Sequence, residues 1–81
     1  MHAKYLSFFR ANVRLVMNRD GISQRNLAKI VGLSYPYVNR ILQGKVNPSL
    51  NVCELISKSL DIGLVELLQN PKDFRKITIR T

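Results

Sequence analysis

Eighty-one residues with 46% hydrophobic side chains make one small folded domain, too short for a second core and too apolar for a disordered tail. Thirteen Lys and Arg against five Asp and Glu leave +8, an excess that solubility does not require and that points to an anionic partner, nucleic acid or a membrane surface. The charge is uneven: residues 1–50 hold eight basic side chains and one acid (Asp20), or +7, and residues 51–81 hold five basic and four acidic, or +1.

The single cysteine, Cys53, excludes an internal disulfide and fits a reducing compartment. With no second Cys or neighbouring His it is read as a core thiol, not a metal ligand. No apolar run reaches the ~18 residues of a membrane span, and no cleavable signal opens the chain, so a cytoplasmic protein is expected. The chain lacks a nucleophile–base pair, a glycine-rich phosphate loop and a carboxylate pair. Neither an enzyme nor a cofactor, metal or small-molecule substrate is therefore expected.

Helix start and stop signals divide nearly the whole chain. In HAKYLSFFRANVRLVMNRDG, Leu6, Phe9, Val13 and Val16 recur on one helical face, Arg10, Arg14 and Asn18 form a polar stripe, and Gly21 ends the segment. SQRNLAKIVG follows, with Ser23 as N-cap, Leu27, Ile30 and Val31 inward, and Gly32 as its stop. A second cap, Ser34, opens YPYVNRILQG. Proline is tolerated in a first turn, Val38, Ile41 and Leu42 make the inner face, and Gly44 closes it. After KVNPS, LNVCELISKSL places Val52, Leu55, Ile56 and Leu60 in helical register behind the cap Ser49. DIGLVELLQNP then gives a short helix with Leu64, Leu67 and Leu68 inward, ended by Asn70-Pro71. The expectation is an all-α, five-helix body over residues 1–70 and a separate tail over 71–81. In that tail, FRKITIRT alternates Ile77 and Ile79 with Lys76, Thr78 and Arg80, the period of a strand. A lone strand is not stable, so it is expected to be disordered or to pair with another chain.

Two short helices separated by a glycine-containing turn form the helix-turn-helix pattern. The residues from Ser23 to Gly44 resemble the Cro and lambda-repressor type of that domain. The matching positions are Ser23-Gln24, Leu27-Ala28, Gly32-Leu33-Ser34, Tyr37-Val38, Arg40-Ile41, Gly44-Lys45 and Asn47-Pro48-Ser49-Leu50, and Asp61-Ile62 with Glu66-Leu67-Leu68 fits the domain's end. The resemblance runs from about Asn12 to Leu68. It implies a lambda-repressor-like fold in which Ser34 to Gln43 is the recognition helix of the major groove. Three positions depart from the pattern: Arg25-Asn26 stand where an acid is usual, Ile41-Leu42 replaces Ile-Glu, and Gly63 replaces a Ser or Thr cap. The missing glutamate removes whatever ion pair it would make.

The helical wheel of that segment, taken alone, centres the outward face on Pro36 and Arg40, with Asn39 and Gln43 beside them and Tyr35 and Tyr37 flanking. Arg reads guanine and Asn reads adenine, and a proline or tyrosine edge can press on a thymine methyl. Base reading is thus expected of Tyr35, Pro36, Asn39 and Arg40. Phosphate contacts are expected of Gln24 at its helix N-terminus, and of Arg25, Ser34, Gln43, Lys45 and Asn47. The resemblance implies that Tyr37 gives its hydroxyl to a phosphate. Arg10 and Arg14 are read as added charge for flanking phosphates. The function expected is a sequence-specific DNA-binding transcriptional regulator of bacterial or phage origin, a homodimeric repressor on double-stranded DNA. The dimer contact is expected from the last helix or the tail, with the tail favoured: Phe74, Ile77 and Ile79 would dimerise through a paired strand, an arrangement that some Cro proteins use. The alternative is an antitoxin or adaptor using the same fold to hold a protein partner.

Overall fold

Six helices, with no strand among the described residues, succeed one another along the chain: α1 (Ala3–Asp20), α2 (Gln24–Val31), α3 (Tyr35–Leu42), α4 (Leu50–Leu60), α5 (Leu64–Leu67) and α6 (Pro71–Thr78). The structure is a computed structural model that describes residues 3–78. α1 is the central strut, packing against α3, α5 and α6, while α2 packs on α3 and α4, and α4 on α5. Its buried face is the expected one: Leu6, Phe9, Val13 and Val16 are all sealed from solvent, because spacings of three and four residues stack side chains on one face. None of the described helices is long and apolar enough to cross a membrane.

The three serine caps form as the sequence implies. The hydroxyls of Ser23, Ser34 and Ser49 accept from the backbone N–H groups of Asn26, Tyr37 and Val52, at 3.1, 3.3 and 3.2 Å. Each satisfies one of the donors that a helix start leaves unpaired. Gly32, at φ 82°, holds the left-handed turn that aims α3 across α2, a conformation a side chain disfavours.

Two inward assignments fail. Ile30 is 54% exposed, and Ala28 is buried on the inner face of α2 instead. Leu55 likewise faces out, and Cys53 is buried in its place. Burial pushes the Cys53 thiol above its ordinary range, against a smaller opposing pull from Arg10.

The tail is the larger correction. Residues 71–78 form a helix, not a strand, and Phe74 is 0% exposed within the same core as α1. Asn70 starts this helix: its Oδ1 accepts from the N–H of Lys72 at 3.0 Å, with Pro71 at the first helical position. Phe74 is therefore a core residue of its own chain and is not free to dimerise. Ile77 is exposed on α6, and Ile79 lies outside the described residues. Asn12, fully buried on α1, ties the end of the body together by donating from Nδ2 to the carbonyls of Leu67 and Gln69, at 2.9 and 2.8 Å.

Candidate nucleic-acid interface

α3 turns Val38, Ile41 and Leu42 into the core, and the rest of its surface follows from that commitment. Pro36 and Arg40 stand exposed on the outward stripe, with Asn39, Tyr35 and Tyr37 half-buried at its sides. Ser34, Gln43, Lys45 and Asn47, at or beyond the ends of the helix, are exposed as well.

Asn39 is not loose. Its Nδ2 donates to Oε1 of Gln24, the first residue of α2, at 2.8 Å. A side-chain amide has two N–H donors and one carbonyl, so this bond leaves Asn39 one donor and its acceptor, the pair that reads adenine N7 and N6. It also leaves the amide nitrogen of Gln24 to donate outward beside the positive end of the α2 dipole. The expected phosphate residue and the expected base reader are thus one hydrogen-bonded unit across the motif.

Arg25 and Tyr35 are brought together too. The guanidinium of Arg25 lies over the Tyr35 ring, 4.3 Å from its centroid, and Tyr35 packs against the core beneath. The stack fixes a long cationic side chain at the start of both helices of the motif. On the other flank of α2, Arg14, Asn18, Ser23 and Gln24 line a shallow polar groove of about 270 Å³. Asn18 is an exposed polar group at this edge that sequence reasoning left out; its place on the same stripe as Arg10 and Arg14 was the available signal.

Arg10 and Arg14 differ most from expectation. Both turn to the C-terminus of α3. Arg10 donates from Nε to the Ile41 carbonyl at 2.7 Å, and Arg14 donates from Nη2 to the Leu42 carbonyl at 2.9 Å. Backbone bonds account for the carbonyls before these: Asn39 accepts from Gln43 at 3.0 Å and Arg40 accepts from Lys45 at 2.9 Å. All four terminal carbonyls of α3 are thereby satisfied, and two cations sit at the negative end of its dipole. Arg10 reaches further, from Nη2 to the Val46 carbonyl at 3.4 Å and to Oδ1 of Asn47 at 3.0 Å. With its oxygen occupied, Asn47 keeps its amide N–H groups for an outside acceptor. Leu42, where the resemblance leads one to expect an acid, packs in the core, and Arg10 and Arg14 of α1 bond the backbone carbonyls of Ile41 and Leu42.

A family profile described as helix-turn-helix matches residues 13–67. The chain belongs to the helix-turn-helix family, in its Cro and lambda-repressor type. Membership makes it a DNA-binding regulator of transcription. Among solved structures, the crystal structure of the hypothetical transcription factor NHTF from Neisseria superposes with a TM-score of 0.83 at 26% identity, covering 95% of this chain and 86% of that one. No curated protein matches. The family match ends at Leu67, whereas the structural likeness takes in nearly the whole chain, so α6 falls beyond the first and within the reach of the second.

Proposed function

We propose that this helix-turn-helix protein is a small homodimeric repressor that reads a palindromic operator through α3 in the major groove. The observation that carries the reading is the Gln24–Asn39 unit on the electropositive half, next to an exposed Arg40. Asn39 reads adenine and Arg40 reads guanine, while Pro36 and the Tyr35 edge meet thymine methyls. Gln24, Arg25, Ser34, Tyr37, Gln43, Lys45 and Asn47 hold phosphates around them, fixing register rather than sequence.

One α3 carries too few contacts, at ~1–3 kcal/mol each, to single out a genomic site. A dimer doubles them, with half-sites about 34 Å apart. The cytoplasm of a bacterial or phage-infected cell is the setting that fits. The test is a titration of duplex binding against salt. A steep linear fall in log affinity, about 0.9 per phosphate neutralised, is expected. An affinity indifferent to salt, or no retained duplex at all, would sink the reading and return the antitoxin or adaptor alternative.

A further inference from the structure

Tyr35 opens α3, where no preceding helical turn lies beneath a side chain to hold its rotamer. Its ring must be held from elsewhere if its edge is to meet a base in one fixed attitude. Two contacts do this. The ring packs against the core, and the Arg25 guanidinium of α2 lies over it, 4.3 Å from its centroid. The Tyr35 hydroxyl has no hydrogen-bond partner among the described residues. With Leu33 and Lys29, the ring also lines an open cleft of about 440 Å³, so its uncovered part is reached from outside.

Arg25 is available for this because no acid claims it. It makes no ion pair among the described residues, and the one acid of residues 1–50, Asp20, is held by Arg19 at 2.7 Å. A guanidinium that stacks by its face keeps its N–H donors at its rim, where a phosphate oxygen can accept them. One side chain thus serves the DNA backbone and a base-reading ring together. We infer that Arg25 is a positioning residue for sequence reading: it sets the edge of Tyr35 against a thymine methyl, coupling a phosphate contact to a base contact. The inference rests on the operator reading proposed above and deepens it. A lysine carries the same charge without the planar fork, so charge and stacking come apart on substitution.

The test is a set of binding titrations on a duplex recovered by selection from a random pool. Copies in which uracil replaces one thymine at a time delete a methyl and nothing else. The methyl that Tyr35 meets is expected to be worth about fourfold in affinity. Tyr35→Ala should abolish that ratio. Arg25→Ala should bring it close to one as well, and should lower the salt slope by about one per protomer. Arg25→Lys should restore the slope but not the ratio. Each protein is compared with itself on two duplexes, so a loss of folded fraction cancels. A methyl ratio that survives Arg25→Ala makes Arg25 a phosphate contact alone and overturns the inference. Recovery of the ratio in Arg25→Lys overturns the planar stack as its cause. A ratio that Tyr35→Ala leaves intact overturns Tyr35 as the reader. A wild type that retains no duplex sinks operator reading itself, a failure seen before any methyl is deleted.

Discussion

The Nε of Arg10 lies 2.7 Å from the carbonyl of Ile41, so a residue of the first helix caps the C-terminus of α3. The same guanidinium holds Asn47, and Arg14 closes the Leu42 carbonyl beside it. The orientation of α3 on the body therefore depends on α1 through hydrogen bonds as well as through packing. Replacing Arg10 with Met keeps much of the apolar stem and removes these bonds. A loss of roughly 1–3 kcal/mol in urea unfolding is expected, the range for a hydrogen bond to a charged group and a buried acceptor left unpaired. Arg10→Lys should recover only part of it, since one ammonium cannot reach three acceptors from a planar fork. Equal stability of wild type and Arg10→Met would remove the clamp from the account.

Gln24 and Asn39 act as a unit in this structure, so their substitutions should not add. Asn39→Ala is expected to cost about 1–3 kcal/mol at operators carrying the cognate adenine and little elsewhere. Gln24→Ala should lose a phosphate contact and also part of the same adenine preference, by freeing Asn39. The double mutant should fall short of the summed losses by about 0.5 kcal/mol or more. Strict additivity in binding titrations would mean that the 2.8 Å bond does not order Asn39 for reading.

Arg40 and Lys45 should separate by kind of loss. Arg40→Ala is expected to relax preference at one base pair with a smaller change in bulk affinity. Lys45→Ala should weaken all duplexes alike and lower the salt slope by about one. Competition with scrambled duplexes and a salt titration read the two effects. The opposite pattern would exchange their roles.

Phe74 belongs to the core, so the tail is required for folding before it can matter for assembly. Phe74→Ala is expected to cost about 3–5 kcal/mol, a large share of the ~5–15 kcal/mol that a whole domain commands. Deleting residues 72–81 should broaden or abolish the thermal transition followed by circular dichroism. A truncated chain that still melts cooperatively near the wild-type temperature would show that α6 is dispensable.

Most of the fold was legible because its signals are local. Ser23, Ser34 and Ser49 cap the helices that follow them, and Gly32 turns where a positive φ is needed. The outward stripe of α3 follows from three apolar residues one turn apart. Asn70-Pro71 misled because the same pair that halts α5 also starts α6, and both readings obey helix-end chemistry. Ile77 and Ile79 alternate like a strand, but Phe74 and Ile77 are also three apart. What decided between these periods was a vacancy against α1 that no tail sequence reveals. Arg10 misled for a related reason. A cation on a polar stripe looks the same in sequence whether it meets water, phosphate or a carbonyl 31 residues away. The sequence likewise singled out Gln24 and Asn39 separately, and only the crossing of α2 and α3 joins them.

Selection of bound duplexes from a random pool, with the full-length protein near physiological salt, tests the central claim of specific reading by a dimer most directly. The expected output is a palindrome with half-sites about 10 base pairs apart, each containing an adenine and a guanine within the reach of Asn39 and Arg40. An output no different from the input pool, or a preferred site without two-fold symmetry, would contradict it.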